Sequence, residues 1–186
     1  MQSEQGENQP AAAGSEENRE QRFVGAVIQR CSDSKGLAAR LRRADNPATE
    51  YQSWELLGSL GIDLEKDWQR LPFVTVAAAI AKSKAGQNGS LSLGRAIAAC
   101  YDDGNNSDQA KARLRRLLAC SELAEVCRIL RPILTLIDSK VGQPLDFVRL
   151  LRQLRNFYFS DHQIKAQWAQ EFYGQPVVRA REGAET

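Results

Sequence analysis

The chain has 186 residues, room for one domain or two small ones. Hydrophobic residues make up 42% of it, which supports a packed core and excludes global disorder, and no apolar run reaches the ~18 residues of a membrane-spanning helix. The formal net charge of +2 conceals an asymmetry: residues 1–21 carry −4 and residues 22–173 carry +6. Of the 25 basic residues 18 are Arg, whose planar fork suits phosphate and flat base faces better than an ammonium does. An Arg-rich basic body points to a polyanionic partner.

Residues 1–20 hold no large apolar side chain after Met1 and read as a disordered acidic tail. A first helix is predicted over Glu20–Cys31, with Phe23, Val24, Val27 and Ile28 inward. Ser34 caps a second over Lys35–Ala44, where Leu37 and Leu41 oppose Arg40, Arg42 and Arg43. Asn46-Pro47 opens a helix to Leu60, with Tyr51, Trp54, Leu57 and Leu56 inward, and Gly61 ends it. Asp63 caps a short helix to Leu71, and Pro72 starts another through Lys82, four alanines in Ala77–Ala81 outweighing the strand propensity of Val-Thr-Val. Lys84 to Ser90 reads as a flexible basic loop.

Ser90 or Ser92 opens the helix bearing Arg95. Asp102–Asp108 (DDGNNSD) is the strongest linker signal in the body. Ser107 caps Asp108–Ala119, in which Arg113, Arg115 and Arg116 oppose Leu114, Leu117 and Leu118. Ser121 caps Glu122–Leu136, with Arg128 and Arg131 one turn apart and Pro132 expected to kink or end it. Leu145–Tyr158 sets Arg149, Arg152 and Arg155 against Phe147, Leu151, Leu154 and Tyr158. Asp161 caps a last helix, His162–Tyr173, with Ile164, Trp168 and Phe172 inward; the tail beyond it reads as disordered. No segment alternates as strands do, so the fold class is all-α, with about eight or nine short helices.

Catalytic chemistry is hard to build from these residues. There is one histidine, at a helix start, and no nucleophile elbow or phosphate-binding glycine loop. Asp102 and Asp103 lie in a solvated turn, short of the oxygens a hard cation needs. The four cysteines have no CxxC spacing and read as buried, reduced thiols of a cytosolic protein; the N-terminus lacks the basic start and apolar core of a signal peptide. The expectation is no enzyme, no metal and no cofactor. The positive signal is three helices that each turn three arginines away from an apolar face. No Asp or Glu lies between Lys111 and Ala119, or between Phe147 and Ser160, whereas a merely solvated face mixes signs. Aromatics, Trp54, Trp68, Phe147, Tyr158 and Trp168 among them, sit on apolar stripes and are assigned to the core. The pattern favours sequence-independent contact with phosphate over base stacking.

The order of these features resembles the CasB family, the small subunit of the type I-E CRISPR surveillance complex Cascade. The resemblance rests on LAARLRRA (37–44), the Trp54 segment, a Pro-led helix ending in a basic loop, SLGRAIA (Ser92–Ala98), an Arg-rich helix pair and QWAQEFY (Gln167–Tyr173), and spans about 22–173. It implies two small helical bundles, which the linker divides as 22–104 and 105–173; the tails at 1–20 and 174–186 fall outside the family pattern. It implies a non-catalytic protein, present in two copies in the crRNA-containing complex, that contacts the backbone and large subunits and steadies the R-loop by holding target and displaced DNA. Residues matching the family's basic surface are Arg42, Arg43, Lys82, Lys84, Arg95, Arg113 and Arg131; Arg116, Arg149 and Arg152 join them on their helix faces. Two other readings stay open: an interaction module whose arginines dock on acidic partner surfaces, and a free-standing DNA-binding regulator.

Overall fold

The computed structural model describes residues 13–174, with side chains from Arg19 onward. Its helices are α1 (Ala13–Asp33), α2 (Lys35–Arg43), α3 (Trp54–Ser59), α4 (Asp67–Ser83), α5 (Leu93–Ala99), α6 (Asp108–Leu118), α7 (Leu123–Lys140) and α8 (Phe147–Tyr173). Apart from 3-10 turns at Pro47–Ser53 and Gly104–Asn106 and one bridge between Leu91 and Leu145, the described residues hold no other regular structure. The all-α expectation holds. Residues 13–20, expected as tail, form the first turns of α1, and Glu20 is buried. The rest of the expected N-terminal tail and the C-terminal tail from residue 175 lie outside the described residues.

The fold is organised around α4. Pro72 through Ala81 are all buried, because this helix has no polar face: Phe73, Val74, Val76, Ile80 and the alanines apply apolar surface in every direction. α2, α7, α8 and α1 pack around it, and their inward stripes join one continuous core from Phe23 to Phe172. Pro72 does not begin this helix, as expected, but lies within it. It removes only one backbone hydrogen bond near the start, that to the Trp68 carbonyl, and the buried run beyond it outweighs that loss. Pro132 is likewise accommodated inside α7, which runs on to Lys140.

α8 is two arms folded at Ser160, where φ is −144° and ψ 33°. Trp168 Nε1 donates to Gln153 Oε1 at 2.8 Å, although fifteen residues along a straight helix would be about 22 Å apart. The two helices expected on either side of Ser160–Asp161 are therefore both present, doubled back on each other. Ile164, Trp168 and Phe172 are buried as expected.

Local end signals held at Ser34, Asn46 and Ser107, whereas the helix expected from Asp63 begins at Asp67, after Lys66. Ser34 Oγ accepts from the Leu37 amide, Asn46 Oδ1 from Ala48 and Ser107 Oγ from Ala110. Ser121 makes no cap; Glu122 occupies that position and makes no side-chain cap bond. The assignment of aromatics to the core needs correction at four positions. Tyr51, Trp54, Trp68 and Tyr158 are 59%, 43%, 46% and 76% exposed, while Leu56 and Phe157 take the inward positions beside them. The 3-10 winding of Pro47–Ser53 rotates that stretch out of α-helical phase, which turns Tyr51 and Trp54 outward.

The 84–90 loop is docked, not loose. Lys84 takes the left-handed conformation that ends α4. Asn88 Oδ1 then accepts from the Phe147 and Val148 amides at 2.8 and 3.2 Å, and Gly89 N–H donates to the Leu145 carbonyl at 2.9 Å. A Cβ on Gly89 would sit 1.8 Å from the Pro144 oxygen, so this approach requires glycine.

Candidate nucleic-acid interface

The predicted basic residues fall into three groups, and tertiary contacts separate those tied to the fold from those facing solvent. The first lies where the end of α2 meets α4 and α7. Arg42 donates to the Ala81 carbonyl at 3.3 Å. Asp45, just past α2, pairs through Oδ2 with Lys82, which also reaches Thr135 Oγ1 at 3.2 Å, and through Oδ1 with Arg131 Nε at 3.7 Å. Arg131 is only 12% exposed. One carboxylate thus holds Lys82 and faces Arg131, whose buried Nε has no hydrogen-bond partner among the described residues. Arg43 and Lys84 are exposed and pair with nothing among the described residues.

The second group spans α5, α6 and α7. Arg95 is exposed and unpaired among the described residues. Arg113 is half-buried, its Nε donating to Tyr101 Oη at 2.5 Å. Arg115 and Arg116 project from α6 without a side-chain partner among the described residues. Arg113 and Arg116 come together with Arg128 of α7 around a groove of about 320 Å³. Arg128 is 63% exposed, with Glu125 on its own helix 3.6 Å away.

The third group, on the first arm of α8, is largely neutralised. Arg149 pairs with Glu171 at 2.6 Å, and Arg155 pairs with buried Glu20 and lies 5.7 Å from the Phe73 ring centre. Arg152 is not without a partner either, and it lines a polar groove between α1 and α8 together with Arg149. The acid-free run of sequence around these arginines did not reveal this, because the acids arrive from α1 and from the second arm of α8. Asp45, Glu20 and Glu171 carry no local signal of that role. Arg128, one turn before Arg131, could have been joined to the α6 stripe had the α6–α7 packing been known.

Burial pushes all four thiols up, Cys127 to about 11. Cys100, Cys120 and Cys127 are buried and Cys31 half-buried, and none is in a disulfide. Among the described residues no three His, Cys, Asp or Glu side chains stand together as metal ligands, and no helix is long and apolar enough to cross a membrane.

Residues 37–173 match the family model described as CRISPR-associated protein Cse2. The fold is similar to that of CasB from M. ruber, at 28% identity and a TM-score of 0.67 over 83% of this chain and 92% of that one. It is also similar to a chain of a CRISPR RNA-guided surveillance complex, at 20% identity and a TM-score of 0.67 over 86% and 93%. CasB from Thermus thermophilus is similar at 23% identity and a TM-score of 0.63 over 84% and 98%. No curated protein matches the sequence.

Proposed function

The chain belongs to the CRISPR-associated Cse2 (CasB) family, and on that premise we propose that it is a non-catalytic subunit of an RNA-guided surveillance complex that grips nucleic-acid backbone without sequence preference. The observation that carries this reading is the set of arginines the fold leaves unpaired among the described residues: Arg43, Arg95, Arg115 and Arg116. A fold that neutralises Lys82, Arg131, Arg149 and Arg155 with carboxylates has acids to spare for pairing, yet leaves these four to solvent. Guanidinium groups held on helices exchange condensed counterions for phosphate at little reorganisation cost. R-loop formation is a near-balanced exchange of one duplex for another, so a few such contacts tip it, while the guide RNA reads the sequence. In this reading the strands held are target and displaced DNA. The protein works in the cytoplasm beside the crRNA, the backbone and large subunits and a second copy of itself.

Docking on partner subunits falls to other faces. Tyr51 and Trp54 stand exposed together beside a cleft shared with Arg70, and Tyr158 and Phe159 stack edge to face at 5.1 Å at the fold of α8. Exposed aromatics of this kind are typical of protein interfaces.

The test is binding of the full chain to single- and double-stranded DNA of two unrelated sequences across a salt series. Four phosphate contacts give a salt slope of roughly 3, from about 0.7 (single strand) to 0.9 (duplex) per contact. Equal affinity for both sequences, and a slope that collapses in Arg43/Arg95/Arg115/Arg116→Ala, supports the reading. Absence of binding at low salt assigns the arginines to subunit docking instead.

A further inference from the structure

The groove between α6 and α7 differs from a plain basic patch. Its rim carries Arg113, Arg116 and Arg128, and its floor is apolar: Ile129, Pro132 and Ile133. No carboxylate lines it. Phosphate alone needs no apolar floor, and an aliphatic protein anchor needs no triple-guanidinium rim. A nucleotide needs both, since its base is flat and apolar on its faces while its phosphates are anionic.

The groove's size and chemistry agree. Its volume of about 320 Å³ lies at the small end of ligand-sized cavities. Ile129 and Ile133 are 7% and 2% exposed, so the floor is the outer surface of the core, rigid and already packed. Arg113 is fixed by Tyr101, and a fixed guanidinium is suited to stacking on a base plane or clamping a phosphate. A base exposes its faces only when it leaves the stack, which a duplex does not allow without unpairing.

We propose that this groove seats one unstacked base of a single-stranded nucleic acid, with the flanking phosphates held by Arg113, Arg116 and Arg128. The proposal rests on the backbone-gripping reading and adds a strand preference to it: the subunit favours single strands because one nucleotide per chain is lifted into a pocket.

The experiment uses the full chain and short single-stranded DNA and RNA oligonucleotides carrying 2-aminopurine, whose fluorescence rises when it leaves the stack. A rise on binding, in either the DNA or the RNA arm, is the expected result, and the stronger arm identifies the strand. Ala112 is an exposed residue of α6 in the groove wall, so Ala112→Trp fills the groove with a ring, and Ala112→Leu does so more gently. Both are expected to weaken single-strand binding more than duplex binding, the Trp variant about tenfold or more for the single strand, and far-UV circular dichroism with thermal unfolding reports that the variants are folded. Arg113/Arg116→Ala weakens both. If fluorescence stays quenched and the Ala112 variants bind single strands normally while the arginine variant does not, the seated base is overturned and the backbone grip stands. If no oligonucleotide binds, the grip itself falls and the seat with it.

Discussion

Glu171 caps α5 from the far arm of α8: its Oε2 accepts from the Gly94 amide at 3.1 Å while its Oε1 pairs with Arg149. Ser92, the residue that precedes the helix, makes no side-chain cap bond, and its hydroxyl is buried without a partner. Gly94 is held so close to α8 that a Cβ there would lie 2.4 Å from the Trp168 oxygen and 2.7 Å from the Phe172 nitrogen. The glycine of SLGRAIA thus belongs to helix packing. Gly94→Ala is expected to force the two helices apart and to cost about 1–3 kcal/mol, read by thermal or urea unfolding. Glu171→Gln, which keeps an acceptor for the Gly94 amide, is expected to be milder than Glu171→Ala. An Ala variant as stable as the Gln variant would show that the cap contributes nothing.

Asp45 stands between Lys82 and Arg131 in a corner where all three side chains are largely covered. Asp45→Asn leaves two cations facing each other. The expected loss is about 1–3 kcal/mol, above that of an exposed pair and below that of a fully buried one. The same geometry separates two kinds of basic residue in the DNA-binding assay. Lys82→Ala is expected to lower stability and leave the salt slope unchanged, whereas Arg116→Ala lowers the slope by about 0.7–0.9 and leaves stability unchanged. A fall in slope for Lys82→Ala would mean that Asp45 releases it to phosphate.

Asn88 ties the 84–90 loop to the start of α8 by accepting from two amides at once and donating to Asp146 Oδ1 at 3.0 Å. Asn88→Ala strips partners from the first turn of α8, a loss of about 1–2 kcal/mol by the usual scale of cap removal. Hydrogen exchange reads it locally: the Phe147 and Val148 amides are expected to exchange faster, with α4 unchanged. Equal protection in the variant would mean that Asp146 and the Gly89–Leu145 bond hold the loop unaided.

What the sequence disclosed follows the range of the forces involved. Helix type, caps at Ser34, Asn46 and Ser107, and the inward stripe Ile164–Trp168–Phe172 are set by neighbours within four residues, and all were readable. Which arginine is neutralised was not. Arg155 meets Glu20 across 135 residues, and the fold of α8 brings Arg149 to Glu171. An acid-poor run such as Phe147–Ser160 records only what is nearby in sequence. Tyr51 and Trp54 were misplaced for a related reason, since their inward assignment assumed the α-helical period in a stretch that winds as a 3-10 helix. The α6–α7 groove was invisible for the same cause, its rim being drawn from two helices.

The thiols give a test at alkaline pH. Burial pushes Cys127 up to about 11, against an ordinary value of 9.0. Below 9.0 the thiol is protonated in both the folded and unfolded states, and pH does not touch stability through it. Between the two values the unfolded chain has lost the proton and the folded chain keeps it, so stability falls as pH rises, by at most about 1.4 kcal/mol per unit. Tyr and Lys titrations also act in this range but are common to both proteins when wild type is compared with Cys127→Ala. The variant is expected to start less stable, because it leaves a small cavity, and to lose stability less steeply between pH 9 and 11 in urea unfolding. Parallel slopes would mean that Cys127 ionises in the folded state near its ordinary value. Iodoacetamide provides the companion measurement: thiolate is the reacting form, so half-buried Cys31 is expected to label first, and the three buried thiols only as fast as the bundle opens.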